Sequence, residues 1–545
     1  MALRDILILV LLSLAIYLPG ISAVPPMDRD EARFAQASKQ MLETGDWIDI
    51  RFQDQARHKK PAGSYWLQAS STAVFGKGQT DEIWTYRLPS TLGALIAVLA
   101  TYALGTLLFG RQAGLIAGAL LAASLSLTVE AHLAKTDALL LASVASAQLF
   151  LARVYQCRND PTARPRFSPW LFWAALGVGI LLKGPIAPMI VALTIIVLVV
   201  LGREWRWLGR LRPLGGLLLM LAIALPWFVA IEIKTGGFLA KAIGGDMLPK
   251  LMGGAESHGM PPGYYLATIW LMFWPGSLFL VPALVGAWRA RAEPAVLFLA
   301  AWVIPTWVIL EVVPTKLPHY SLPLFPALAI LVAAALTNRE GPIGRSIDAT
   351  WTRVQAYPWT LIGIALAIGL IGVKQRFGEG LDSWTVAAAI IAIAVAVQPL
   401  WLLRRGMTQV ALVVVVIGAV LIHAIAFQYI LPSLDGLSVS RSLAQKMQAL
   451  DPNGTAMVAA SGYREPSLVF LLGTQTRLSA PEEAADILAR EPGAFALIEA
   501  RNADAFRARA QSLGIKLEAV DTVNGLNYSN GKTVAITIHR AEASQ

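Results

Sequence analysis

Asp30 and Glu31, with Arg33 close behind, stand just beyond the first apolar run of the chain. Charge at a membrane boundary is costly and marks function more often than decoration. The same segment continues through Gly45, Asp46 and Trp47 to Arg57, His58, Lys59, Lys60 and Pro61, and then to Tyr65 and Trp66. One tethered stretch therefore offers carboxylates, cations and aromatic rings. That mixture suits a sugar, held by carboxylates and ring faces, joined to a lipid phosphate, held by cations.

Residues Asp28 to Glu31 have the Asp-x-x-Glu form of a capping box, with Asp28 as N-cap and Glu31 reaching back to its amide. Capping accounts for Asp28 and Glu31 but leaves Asp30 unexplained. Asp30 falls in the first helical turn near Arg33, and both the helix N-terminus and the guanidinium are expected to keep it ionised. Such a carboxylate suits holding a sugar or accepting a proton late in a reaction. Phe34, Ala37, Ser38 and Met41 form a stripe expected to face the membrane, and Gly45 ends the helix.

The elements that position these residues follow from composition. With 56% hydrophobic and 15% charged residues and a mean hydropathy of +0.57, the chain reads as an integral membrane protein. A net charge of +10 does not indicate nucleic-acid binding, because Arg and Lys sit mainly in short links between apolar runs, where they set orientation. The single cysteine, Cys157, excludes an internal disulfide and argues against a cysteine-based metal site or redox pair. The first run resembles a signal peptide in its flanks, but its role in tethering the charged segment favours a retained helix.

About 13 spans of membrane-crossing length are expected, near 6–24, 88–109, 113–130, 136–156, 169–182, 185–201, 214–232, 263–285, 295–313, 320–336, 358–373, 384–403 and 409–431. With the N-terminus in the cytoplasm, every even-numbered span returns to a basic link, from Arg111 to Arg404 and Arg405. Residues 1–431 then form a transmembrane domain with outer loops at 25–87 and 233–262, and 432–545 lies outside. This tail alternates strand patterns (456–460, 495–500, 517–523, 533–539) with helical ones (481–490, 503–513), and reads as a small α/β domain without a P-loop, GxGxxG or metal spacing.

That topology gathers the polar residues at span ends on the outer side: Glu130, His132, Lys135, Asp137, Lys183, His258, and Lys316 to Tyr320, which includes His319. Lys183 could only snorkel to the interface, and His132 or His319 could only cap a helix end. Their convergence instead predicts one outward-opening site.

Asp30 to Phe34, Lys60-Pro61 before Tyr65-Trp66, Lys135-Thr136-Asp137, Lys183-Gly184-Pro185, His258 before Pro261-Pro262, and Lys316 to Pro326 occur in this order and with this sidedness. Together they resemble the membrane glycosyltransferases of the protein O-mannosyltransferase and aminoarabinose (lipid A) transferase superfamily, by motif over about residues 1–340 and by architecture throughout. The resemblance implies the all-α C-type glycosyltransferase fold with an outer α/β domain. It also implies transfer of a sugar from a polyprenyl-phosphate donor, undecaprenyl phosphate in bacteria, at the periplasmic face of the inner membrane. Asp30 matches the family's catalytic acidic residue, Glu31 its neighbour and Asp137 the second acidic residue of the cavity. Lys60 matches the lysine on donor phosphate, and Arg33, Lys183, His258, Lys316, His319 and Tyr320 fall in the same binding region. Where aminoarabinose transferases carry Glu-Lys-Pro, this chain has Lys59, Lys60 and Pro61. No metal or other cofactor is therefore carried over, His258 is expected to hydrogen-bond or pack, and the added charge also tolerates an acidic donor sugar.

The acceptor implied is lipid A or another envelope glycan, reached by a single inverting displacement, with a protein hydroxyl as the alternative. A lipid or solute transporter is the reading outside the enzyme class. The charges gather at one end and no repeat is visible, which argues against it.

Overall fold

A run of some 20 apolar residues has no stable state in lipid except a helix that satisfies its own backbone, and helices occupy every run expected to cross the membrane. The structure is a computed structural model describing residues 2–542 apart from 161, 163, 164, 241–258, 346, 348 and 349. Helix α1 (Leu3–Tyr17) leads into an outer segment containing α2 (Asp30–Thr44), a small hairpin of β1 (Arg51–Phe52) and β2 (Gln55–Ala56), and α3 (Gly63–Phe75). There follow α4 (Ile83–Phe109), α5 (Arg111–Ala123), α6 (Leu125–Ala131), α7 (Asp137–Gln156), α8 (Ser168–Lys183), α9 (Ile186–Gly202) and α10 (Pro213–Thr235). Among the described residues eight helices are long and apolar enough to span a bilayer, or ten if each of two bent pairs is one span. The remaining expected spans, α1, α8 and α9, are shorter helices of 15, 16 and 17 residues.

Burial separates inner from outer spans. In the apolar window starting at Asp137, 83% of residues are buried, against 22% in α10, so α7 is central and α10 faces lipid. The inner packing rests on small residues: a Cβ on Gly105 would come within 2.9 Å of the Gly114 backbone, and one on Gly93 within 3.0 Å of Leu139. Such close approach supplies dispersion contact where no hydrophobic drive separates helix from lipid.

The two bent spans, α5–α6 (62°) and Tyr264–Met272 with Gly276–Arg289 (115°), meet at their breaks. The Leu125 N–H donates to the Trp274 carbonyl at 2.9 Å. Gln355 braces the second break, donating to the Ser277 carbonyl and accepting from the Val281 N–H at 2.8 Å. Backbone groups freed from the helical ladder are thus paired within the protein, as burial at this depth requires.

The tail forms a five-stranded mixed sheet of order β4-β3-β5-β7-β6, with β3 (Val458–Ser461), β4 (Arg477–Leu478), β5 (Phe495–Glu499), β6 (Leu517–Asn527) and β7 (Lys532–Ala541). Strand alternation sends Val458, Ala460 and Leu497 toward the helices Val439–Leu450 and Pro466–Leu472, and Ala459, Ala496 and Ile498 toward Pro481–Arg490 and Ala503–Ser512. The expected strands and helices are present; the helices at 439–450 and 466–472 and the short β4 are additional. The stripe expected to face the membrane does not: Phe34, Ala37 and Met41 pack with Tyr65, Trp227 and Ile231, and Ser38 bonds Gln68 at 2.8 Å. The opposite side of α2 is covered too, since Ala35 clusters with Ile83, Tyr86, Ala134 and Phe470. Helix α2 is held between the spans and the C-terminal domain.

Candidate active site

Asp30 opens α2 and is exposed. Its carboxylate lies near enough to act electrostatically on the Tyr65 phenol and on the Lys135 ammonium. Burial, more than the Arg57 guanidinium bonded to it at 3.2 Å, sets Tyr65 and raises its pKa. Arg57 also lies over the Phe34 ring at 5.2 Å, which fixes a cation beside the aromatic floor of the segment.

The capping box expected here is not formed. Arg29, with φ 69° and no capping bond from its side chain to the helix, precedes the helix. Glu31 turns inward instead: Oε1 accepts from Arg87 Nε at 2.7 Å and the Ala134 N–H at 2.8 Å, and Oε2 from Arg87 Nη2 at 2.9 Å and the Met27 N–H at 2.8 Å. Arg87, fully buried, spends its remaining donors on the carbonyls of Ile21, Val24 and Pro25. All five guanidinium N–H groups are used. A capping box satisfies a local amide; a buried guanidinium offers a charge-assisted, bidentate partner and wins. Nothing near Arg87 in sequence marks it as the partner of Glu31.

A second group forms where α7 begins, α8 ends and the stretch 318–324 begins. Lys183 Nζ lies 2.5 Å from Asp137 Oδ1 and 5.2 Å from the centre of the Tyr320 ring. Lys135 Nζ lies 3.1 Å from Glu130 Oε1 and 3.7 Å from Asp137 Oδ2. His319 approaches both acids, Nδ1 at 3.6 Å from Glu130 and Nε2 at 3.8 Å from Asp137. Burial opposes the charge on Lys135, but the Glu130 and Asp137 carboxylates outweigh it and hold the ammonium charged, above the usual lysine range. Ligand atoms of Glu130, Asp137 and His319 converge within 4.8 Å of one another. Two ammonium groups already sit against those carboxylates.

The other expected residues divide. Arg33 is half-buried on α2, close enough for its charge to act on Asp28, and Lys60 is half-buried before Pro61 at the approach to α3. Lys316 is turned away from the acids: its ammonium donates to the carbonyls of Met260 at 3.0 Å and Val313 at 2.7 Å. His132 is a joint, bonding the Thr128 and Pro19 carbonyls at 2.7 and 2.8 Å and stacking on Phe427. His258 lies outside the described residues.

Residues 59–229 match the sequence profile of the dolichyl-phosphate-mannose-protein mannosyltransferase family. The chain is 30% identical over 312 residues to the undecaprenyl phosphate-alpha-4-amino-4-deoxy-L-arabinose arabinosyl transferase of Pseudomonas paraeruginosa, which is 57% of this chain and 55% of that protein. The chain therefore spans little more than half the length of the curated relatives it matches first. Its fold is that of ArnT from Cupriavidus metallidurans bound to undecaprenyl phosphate, with a TM-score of 0.73 at 20% identity over 98% of both chains. The Archaeoglobus fulgidus oligosaccharyltransferase shares it more distantly, with a TM-score of 0.53 at 13% identity over 95% of this chain and 69% of that one. In the order of its motifs, in the matched segment and in fold, the chain is similar to the C-type membrane glycosyltransferases, among them the aminoarabinose transferases and the protein mannosyltransferases.

Proposed function

We propose that the protein transfers a sugar, with inversion, from undecaprenyl phosphate to lipid A or a related envelope acceptor at the periplasmic face of the inner membrane. One observation carries this reading: the exposed carboxylate of Asp30 acts electrostatically on the buried Lys135 ammonium, which shares Asp137 with Lys183 at a single end of the bundle. The acceptor oxygen bonds to the anomeric carbon as the anomeric carbon–oxygen bond to phosphate breaks, and the electron pair leaves with the lipid phosphate. Lys60, Arg33 and Lys183 are the cations proposed to stabilise that developing charge, with His319 and Tyr320 bordering them. Asp30 takes the proton of a hydroxyl acceptor, or orients the donor when the acceptor is already an anionic phosphate.

Glu31 and Asp137 act in this reading through others. Glu31 anchors α2 to Arg87, and Asp137 holds Lys183 and Lys135 in place. In this reading the Lys135 and Lys183 ammonium groups balance the charge of Glu130 and Asp137. Lys316 ties the backbone of its own loop to that of Met260. The names of the relatives favour a lipid-linked aminoarabinose donor.

The test is reconstitution in liposomes with undecaprenyl-phosphate-linked 4-amino-4-deoxy-L-arabinose and lipid A, together with mass spectrometry of lipid A from deletion and complemented strains. Release of undecaprenyl phosphate and a mass increment on lipid A that returns on complementation are expected. Transport of the donor without cleavage would replace the transferase reading, and an increment found only on protein would move the acceptor to a serine or threonine hydroxyl.

A further inference from the structure

We propose that the C-terminal domain is a working part of the candidate active site: Ser467, Tyr528 and Ser529 clamp the strained turn at Arg29 and so set the position of Asp30. The inference rests on the transferase reading for what Asp30 does, but its geometry stands independently.

Arg29 has φ 69° and ψ −97°, a γ-turn-like conformation rarely adopted by residues other than glycine. Such strain persists only where the surroundings fix it. Here they come from the far end of the chain. The Asp28 N–H donates to the Tyr528 hydroxyl at 2.6 Å, the Asp28 carboxyl accepts from the Ser467 N–H at 2.9 Å, and the Arg29 guanidinium donates to the Ser529 carbonyl. The clamp is itself braced. Glu465 accepts from Asn527 at 2.7 Å and from the Ser529 hydroxyl at 3.0 Å, tying the β6–β7 turn to the helix that carries Ser467. Ser467 in turn bonds Ser440 at 2.6 Å.

Asp30 is thus an exposed residue between two tethered ones. Asp28 is tied to the C-terminal domain, and Glu31 to Arg87 in the spans. Further along α2 the same domain bonds Gln36 through Thr474 at 2.7 Å, Lys39 through the Phe470 carbonyl at 3.3 Å and Glu43 through Thr474 at 2.7 Å. Those contacts hold the helix as a body. Of the C-terminal domain's contacts, only those at residues 28 and 29 bear on the turn, which the Met27–Glu31 and Ala32–Met27 bonds close from within; without the domain's contacts Arg29 would relax toward an ordinary φ and displace Asp30 relative to Lys135 and Tyr65.

The experiment uses the full chain carrying Tyr528→Phe, a change at an exposed ring that removes only the hydroxyl. Hydrogen exchange should quicken in the peptide covering residues 25–34 and not in the spans. In the liposome assay with undecaprenyl-phosphate-linked 4-amino-4-deoxy-L-arabinose and lipid A, kcat should fall about tenfold while undecaprenyl phosphate binds as before, because displaced reacting groups cost turnover more than affinity. Arg29→Gly added to Tyr528→Phe should restore part of kcat, since glycine enters positive φ without the steric penalty a side chain carries and the turn then needs less support. Glu465→Gln, which slackens the brace, should give the same local exchange. Unchanged exchange at 25–34 in both single variants, a loss confined to donor affinity, or no rescue by Arg29→Gly would overturn the clamp. An inactive parent protein would sink the transferase reading, and the exchange measurement would still decide the clamp.

Discussion

Asp30 and Glu31 are neighbours of like charge, yet the fold gives them opposite surroundings. Glu31 is buried against a guanidinium whose every donor is used, while Asp30 is exposed at the helix start. Asp30→Asn should leave folding intact and lower turnover about 10²-fold or more if the carboxylate takes the acceptor proton; near-parental transfer by a well-expressed variant would remove it from the mechanism. The local sequence suggests that Glu31→Gln is the milder change, because a glutamine still caps. The structure reverses that order for stability: an amide in place of Glu31 leaves Arg87 buried without its counter-ion, a loss of about 3–5 kcal/mol. A clear fall in the thermal midpoint of the detergent-solubilised protein is expected for Glu31→Gln and none for Asp30→Asn.

At the scale of elements, the segments that carry Lys60 and Lys183 meet by close contact of helices that the chain separates widely. Lys60 stands just before α3 and Lys183 ends α8, and Gly63 sits where the two meet: a Cβ there would lie 2.7 Å from the Leu181 carbonyl oxygen and 2.9 Å from its carbon. Backbone cannot yield as a side chain can. Gly63→Ala should therefore push α3 from α8 at a cost of about 1–3 kcal/mol, and weaken undecaprenyl phosphate binding as the two cations separate. Gly369→Ala, where a Cβ meets nothing within 4 Å, is the control and should bind undecaprenyl phosphate as tightly as the parent. Equal binding by Gly63→Ala would dissociate Lys60 from Lys183 as joint phosphate ligands.

At the scale of the whole molecule, the domain interface is expected to respond to pH through Asp28. Burial, with the Glu465 charge adding to it, raises the Asp28 pKa from 3.8 to about 7, against opposing bonds from Ser467 and the charge of Arg33; Tyr463 and Tyr528 complete its surroundings. The folded protein thus keeps the Asp28 proton up to about pH 7, whereas an unfolded chain releases it near 3.8. Stability should fall as pH rises from about 4 to about 7 and level above that. Asp28→Asn keeps an acceptor for Ser467 and should flatten this part of the thermal-midpoint profile; an unchanged slope would assign it to another group. Sidedness is tested at the same scale. A phosphatase active only outside the cytoplasm should be active when fused to the C-terminus and inactive when fused after Arg405, and the reverse pattern would invert every assignment of face.

What the sequence determines by itself is whatever depends on local composition. Apolar length places each span, a short apolar run marks β5 and alternation marks β7, because these signals are complete within one element. Asp30, Lys60, Asp137 and Lys183 are visible as polar residues where an apolar chain should have none. Partner choice is different. Arg87 for Glu31, Trp274 for the break at Leu125, and Tyr528 for the amide of Asp28 lie 56, 149 and 500 positions away. No periodicity carries that information, since each partner is selected by which buried donor or acceptor the packed helices leave unsatisfied. Tertiary structure alone therefore decides that Glu31 is an anchor, that Lys316 ties its own loop to Met260, and that the domain at the end of the chain grips the helix near its beginning.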